Sequence, residues 1–207
     1  MVIAVFGAKG RVGKKVCEIA KARGHAVCEI DKEDDVFEVK CDAAIDFSAA
    51  EATRKVCDFC TVNNCPLISG VTGRTDEQQK TIDELKKKVT VIEKPNFSQG
   101  IALLQKICAF ASNELKNWDC EITETHRKGK IDAPSGTAKE LAAVISKNKG
   151  SFTSVTIHSR RLGSAHGTHC VTFATNGESV TFTHTAENTD IFALGAVKAA
   201  ENPAENF

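Results

Sequence analysis

The densest chemistry in the chain lies in Glu124-Thr125-His126-Arg127-Lys128-Gly129-Lys130-Ile131-Asp132-Ala133-Pro134-Ser135-Gly136-Thr137-Ala138. Four groups that can carry positive charge, His126, Arg127, Lys128 and Lys130, fall within five positions. Ser135, Gly136 and Thr137 follow at the expected start of a helix, where Thr137 and Glu140 have the spacing of a capping box. Free helix N–H groups, a hydroxyl and nearby cations make a receptor for carboxylates. A histidine beside a lysine can also supply protons near neutral pH. A solvated basic turn ahead of an ordinary helix cap would use the same residue types, so charge alone does not decide between the two readings.

A second set lies near the N-terminus. Gly7, Gly10 and Gly13 stand between an apolar run, Val2-Ile3-Ala4-Val5-Phe6, and a helical pattern carried by Val16, Cys17, Ile19 and Ala20. Glycine suits a tight turn, close approach of backbone to a pyrophosphate, and close helix–strand packing. The G-x-x-G-x-x-G spacing departs from G-x-G-x-x-G; its position directly after the first strand makes up for that. Gly7, Ala8, Lys9, Gly10, Arg11 and Val12 are the expected phosphate-binding residues of a dinucleotide site. Asp31, at the end of the second strand, can accept hydrogen bonds from an adenosine ribose, whereas Lys32 can pair with a 2′-phosphate. The pair therefore predicts use of NADH and NADPH. The loops Gly70-Val71-Thr72 and Lys94-Pro95-Asn96-Phe97 follow the fourth and fifth strands and are expected near the nicotinamide half.

These loops need a scaffold. Strands are expected at 2–6, 26–30, 43–47, 66–69 and 89–92, with helices between them. Thr75-Asp76-Glu77-Gln78 reads as a capping box opening a helix to Lys88. Such β-α-β alternation predicts an α/β, Rossmann-type parallel sheet. The second half changes character: helices at 101–115 and 138–145, and strands at 119–125, 154–159, 168–175 and 179–185. Asn176-Gly177 marks a hairpin between the last two strands. A helix at 190–200 closes the chain. The expected architecture is a dinucleotide-binding domain, 1–97 with 189–207, and an inserted α+β domain, 98–188, with a mostly antiparallel open sheet.

Composition narrows the function classes. Lys+Arg and Asp+Glu balance at 27 each, so no net basic field favours nucleic acid. The apolar run at 2–6 is too short to cross a bilayer, and no secretory signal is expected. The nine cysteines are scattered, which does not suit a secreted disulfide scaffold. Cys57 and Cys60 form a C-x-x-C inside a helical pattern, with no second pair at zinc-like spacing, and are expected in the core; no metal is expected.

At these residues the chain resembles the 4-hydroxy-tetrahydrodipicolinate reductase (dihydrodipicolinate reductase) family. The family's loop reads H-H-x-x-K-x-D-x-P-S-G-T-A, which residues 126–138 match at every fixed position but one. Further matches are the Gly7–Gly13 loop, Ile45-Asp46-Phe47-Ser48, Gly70-Val71-Thr72-Gly73, Asn96-Phe97-Ser98, Arg161-x-Gly163 to Gly167-x-His169, and Phe192-Ala193-x-Gly195-Ala196. The resemblance implies hydride transfer from a reduced nicotinamide to C4 of a cyclic unsaturated imine dicarboxylate, giving tetrahydrodipicolinate. It implies His126 as proton donor, Lys130 as second acid beside the substrate, and Ser135, Gly136 and Thr137 on a substrate carboxylate. It also implies a cytoplasmic homotetramer built through the second domain, in the diaminopimelate route to lysine, with neither nucleic-acid nor membrane partners.

Two features depart from the family. Arg127 stands where the family has a second histidine; it can bind a carboxylate but does not shuttle protons near pH 7. The segment from Asp31 to Ala43 is short, which predicts a missing or rudimentary helix after the second strand. Two other readings keep the same first domain: an NAD(P)-dependent amino-acid dehydrogenase, and a non-catalytic module sensing NADH. The imidazole of His126, the ammonium of Lys130 and the amides at 136–137 are expected to converge on one pocket.

Overall fold

The structure, a computed structural model, describes residues 1–32, 40–149 and 155–204. The expected absence of a helix after the second strand concerns residues mostly outside that set, as does the first residue of the strand expected at 154–159. The chain divides into two units, Met1–Ser98 with Asp190–Phe207, and Gln99–Thr189. In chain order the first unit holds β1 (Val2–Phe6), α1 (Arg11–Ala22), β2 (Ala26–Ile30), β3 (Ala43–Asp46), α2 (Thr53–Asn63), β4 (Leu67–Ser69), α3 (Asp76–Leu85) and β5 (Val91–Glu93). The second holds α4 (Gln99–Glu114), β6 (Asp119–His126), α5 (Gly136–Lys149), β7 (Thr156–Arg161), β8 (Gly167–Thr175) and β9 (Glu178–Ala186). The chain then returns to the first unit as α6 (Asp190–Glu201).

The first unit is a five-stranded parallel sheet in the order β2-β1-β3-β4-β5. Its strands are apolar on both faces because helices cover both. Ile3, Val5, Ala43 and Ile45 pack with α1 and α6 residues, while Ala4, Phe6, Ala44 and Leu67 pack with those of α2 and α3. Strand order reverses at β1/β3, so the crevice outside the carboxyl ends there is the ligand site of such sheets. The capping box at Thr75 forms: Gln78 N donates to Thr75 Oγ1 at 3.3 Å, and Thr75 N to Gln78 Oε1 at 2.8 Å. Cys57 and Cys60 are buried in this core, with Cys65 beside them. Helix α3 stops at Leu85 rather than Lys88, because 86–88 form tight turns back onto its last carbonyls; the next strand starts correspondingly later.

One ion cluster ties α1 to α6. Arg23 grips Glu201 through Nε at 2.7 Å and Nη2 at 2.8 Å, and His25 Nε2 lies 2.7 Å from Glu201 Oε1. The Arg23 hydrogen bond, aided by His25, brings the Glu201 carboxyl from 4.5 down to about 2. A carboxyl depressed in the folded state contributes stability that is full above its unfolded value and is lost as pH falls toward the folded one. Glu201→Gln is therefore expected to be destabilising at pH 6, with the gap to the natural chain narrowing between about pH 4.5 and pH 2. Denaturant unfolding of both proteins from pH 6 to pH 3 checks this; a gap that stays constant contradicts it.

The second unit is a four-stranded sheet in the order β7-β6-β8-β9, with β6–β7 parallel and the other two pairings antiparallel. Helices α4 and α5 cover one face, meeting Ile122, Val171, Phe173 and Phe182. Thr175 pairs with Glu178 across Asn176-Gly177, the expected two-residue hairpin, with Gly177 at φ +98°. On the helix-covered face, residues of β6 at spacing two run Ile122, Glu124, His126: apolar under the helices, then ionisable where they end. That step in polarity positions the site.

Candidate active site

In the first unit the expected cofactor residues gather at the carboxyl edge of the parallel sheet. Gly7 has φ +74°, its N–H bonds Ile30 O at 3.0 Å, and its own carbonyl accepts from Gly10 N at 2.9 Å. The Lys9 amide donates to Asp31 Oδ2 at 2.9 Å, which joins the glycine turn to the end of β2. A Cβ at Gly13 would lie 2.1 Å from Gly7 O, so α1 starts as close to the turn as backbone allows. Arg11 and Val12 form its first turn. This cradle of backbone at a helix N-terminus fits a dinucleotide pyrophosphate. Lys32 is exposed at the same edge. Lys55 of α2, which sequence reasoning missed, reaches the carbonyls of Asp31 and Lys32 at 3.3 Å each.

The other two loops stand on buried supports. Arg74 has a side chain 3% exposed. It donates to Val71 O at 3.0 Å, Ser69 Oγ at 2.6 Å, Thr53 Oγ1 at 3.1 Å and Glu93 Oε1 at 2.7 Å. The loop 70–72 is thereby fixed to the ends of β4 and β5. Asp46, beside it, is buried, and burial pushes its carboxyl up. Lys94 N bonds Ser69 O at 3.1 Å, Asn96 Oδ1 accepts from Ser98 N at 2.8 Å, and Phe97 is buried edge-to-face on Phe47. Pro95 is exposed in this loop. Nothing local in the sequence marks Lys55 or Arg74, since each acts across strands.

In the second unit His126 Nδ1, Ser135 N and, through Arg161, the Lys130 carbonyl are held around one carboxylate, that of Glu124. Glu124 is fully buried. Its Oε2 takes His126 Nδ1 and, at 3.0 Å, Arg161 Nη1; its Oε1 takes Arg161 Nη2 at 2.9 Å and Ser135 N at 3.4 Å. Burial pushes the Glu124 carboxyl up, but hydrogen bonds from Arg161, Ser159 and His126 outweigh it and bring it down to about 2. Arg161 also bonds the carbonyls of Lys130 at 3.3 Å and Asp132 at 2.6 Å. Lys130 Nζ lies 2.7 Å from Asp132 Oδ1. Arg127 is exposed, with no acidic partner among the described residues.

The helix cap differs from expectation. Helix α5 begins at Gly136, and Ser135 caps it, with Oγ accepting from Ala138 N at 3.2 Å. Thr137 and Glu140 thus lie inside the helix, and Glu140 Oε2 accepts from Gln105 Nε2 at 3.1 Å. Ser135, directly after Pro134, takes the N-cap two residues before Thr137. Gly136 and Thr137 still present first-turn amides, the donors that a carboxylate needs. His169, which the sequence offers only as part of the Gly167-x-His169 match, is buried beside the site, its ring edge-to-face with His126 at 5.2 Å and its Nε2 3.2 Å from Ser135 Oγ. Burial, then the neighbouring His126, pushes His169 down to about 4, so it stays neutral near pH 7. The sequence names Glu124, Arg161 and His169 without a site role, because only sheet register brings them together: Glu124 faces His169 on one side and Ser159 on the other.

Residues 1–97 match the family model described as dihydrodipicolinate reductase, N-terminus, and residues 100–206 the one described as its C-terminus. A 4-hydroxy-tetrahydrodipicolinate reductase of Thermosipho africanus is 38% identical over 198 residues, covering 95% of this chain and 88% of its own. One from Archaeoglobus fulgidus is 35% identical over 239 residues, covering 97% and 93%. Among solved structures, a dipicolinate-bound dihydrodipicolinate reductase from Paenisporosarcina sp. TG-14 shares the fold, with TM-score 0.84 and 24% identity over 98% of this chain and 93% of that one.

Proposed function

The chain belongs to the dihydrodipicolinate reductase family, and from that membership we propose how its residues divide the work. The reaction is the NAD(P)H-dependent reduction of 4-hydroxy-tetrahydrodipicolinate to tetrahydrodipicolinate, in the diaminopimelate route to lysine. Gly7–Val12 hold the pyrophosphate, Asp31 and Lys32 meet the adenosine ribose, and the loops 70–72 and 94–97 seat the nicotinamide. A bound reduced nicotinamide supplies the hydride. Loss of the 4-hydroxyl as water gives the conjugated dihydrodipicolinate ring; electrons arriving at its C4 flow through that ring, so a proton must meet the charge that builds away from C4. His126 donates it from Nε2, because Nδ1 faces Glu124. Lys130 is the second acid. Ser135, Gly136 and Thr137 receive one substrate carboxylate and Arg127 the other, bidentately.

The single observation that carries this reading is the convergence of His126, the Lys130 backbone and the α5 N-terminus on the Glu124–Arg161 pair. Neither an amino-acid dehydrogenase nor a sensing module needs that assembly. The test is NADH and NADPH oxidation with substrate generated in situ by the preceding synthase. Turnover with both cofactors is expected; no turnover by folded protein with either rejects the reading.

The same reading extends to a cytoplasmic homotetramer. No helix is long and apolar enough to cross a membrane among the described residues. The second sheet's other face presents Thr172 and Thr181, 3.1 Å apart, and Thr168 and Thr185, and carries neither α4 nor α5. A sheet face without helices can pack on the same face of a second copy. Sedimentation at micromolar concentration tests it: a monomer rejects the tetramer.

A further inference from the structure

Resting on the reading that His126 and Lys130 are the reaction's acids, we propose that Glu124 and Arg161 are a positioning pair that sets both at once. Glu124 fixes the tautomer and aim of His126, and Arg161 locks the loop that carries Lys130 onto the same carboxylate.

The first half of the argument is about protons. An ionised carboxylate only accepts hydrogen bonds. Glu124 is ionised, held down to about 2, so the His126 nitrogen facing it, Nδ1, must carry a hydrogen. The charged ring then gives up its proton from Nε2 and is left as the Nδ1–H tautomer, the form that Glu124 stabilises. This is the logic by which a buried aspartate orients a histidine in hydrolytic triads. Nε2 faces Gly167, where a Cβ would lie only 3.1 Å away, so β8 contributes space there rather than a side chain. The His169 ring packs against that of His126 with centroids 5.2 Å apart and planes at 76°, and it is neutral near pH 7.

The second half is about the loop. A guanidinium has five N–H groups in a rigid fork. In Arg161 they go to Glu124 Oε1 and Oε2 and to the carbonyls of Arg160, Asp132 and Lys130, at 2.6–3.3 Å. The backbone on either side of Ile131 is therefore tied to the carboxylate that holds His126. Ile131 itself is 98% exposed, so apolar burial does not hold the loop. Lysine, with one ammonium, cannot span these five acceptors.

The test has two arms, both on the full-length chain. The first is the ¹⁵N spectrum of histidine-labelled wild type and Glu124→Gln at a pH where His126 is neutral. Wild type is expected to show the Nδ1–H tautomer and the variant a mixture of Nδ1–H and Nε2–H, since a carboxamide can either donate or accept. A wild-type ring in the Nε2–H form, or an unchanged tautomer in Glu124→Gln, overturns the proposal. The second arm is kinetic. Glu124→Gln and Arg161→Lys are each expected to lower kcat at least about tenfold, with substrate KM changed less than about threefold. Arg161→Lys keeps the Glu124 carboxylate and so keeps the wild-type tautomer. Full kcat in Glu124→Gln, alongside an inactive His126→Asn, overturns the positioning role alone. Full kcat in His126→Asn instead overturns the reading beneath it. If Glu124→Gln does not fold, the wild-type tautomer and Arg161→Lys kinetics still decide.

Discussion

Lys130→Ala is expected to lower kcat at least about 100-fold, a loss of about 2.7 kcal/mol in transition-state stabilisation. The size follows from what the side chain does and from the lack of a substitute. Its ammonium is held 2.7 Å from Asp132 Oδ1, with a quarter of the side chain exposed, so it is both aimed and accessible. The Lys130 hydrogen bond in turn holds the Asp132 carboxyl below its ordinary 3.8. The neighbouring cations do not replace it: Arg127 does not release a proton near pH 7, and Arg161 is committed to five acceptors. Lys130→Arg is expected to recover substrate KM but not kcat, which separates charge from proton supply. Lys147→Ala, in the last turn of α5, is the control and leaves both unchanged. Steady-state kinetics with saturating cofactor reads all three. Near-wild-type kcat in Lys130→Ala removes the residue from the mechanism.

Much of the scaffold was legible because it is written locally. Val2–Phe6 lacks polar side chains, so it reads as a strand buried on both faces, and the alternation of such runs with helices leaves little choice but a parallel sheet. Asn176-Gly177 fixes a hairpin by turn chemistry alone. The cationic segment and the glycine turn were legible for the same reason: their residues are neighbours in the chain. What stayed hidden is set by register. Glu124 meets Arg161, 37 positions on, only because β6 and β7 align in parallel with Glu124 beside Ser159 and His126 beside Arg161. His169 joins the site through the antiparallel β6–β8 pairing. Nothing in the sequence singles out Arg74, next to the Thr75 capping box, yet its guanidinium is the buried peg under the loop 70–72. The helix start at Gly136 failed in a different way: the Thr137–Glu140 spacing drew the reading, while Ser135, two residues earlier, supplies the cap.

Gly13→Ala is expected to raise the Kd for NADH and NADPH alike, about 100-fold. The new methyl carbon would lie 2.1 Å from Gly7 O, 2.8 Å from Gly7 C and 3.0 Å from Ala8 Cα, so something must move. Gly7 cannot yield: its φ of +74° suits glycine, its N–H bonds Ile30 O, and its carbonyl accepts from Gly10 N at 2.9 Å. The helix must yield instead, and moving the first turn of α1 moves the amides that point at the pyrophosphate. Overpacking of this kind costs about 1–3 kcal/mol, and the upper end corresponds to about a hundredfold in affinity. Because the pyrophosphate is common to both cofactors, the loss is the same for each. Lys32→Ala offers the contrast, since a lysine paired with a 2′-phosphate weakens NADPH and leaves NADH unchanged. Titrating both cofactors by nicotinamide fluorescence against both variants gives four numbers. Equal losses in Gly13→Ala with an unequal pair in Lys32→Ala support the division of labour between turn and strand end. Unchanged affinity in Gly13→Ala would mean that the glycine turn does not carry the phosphates.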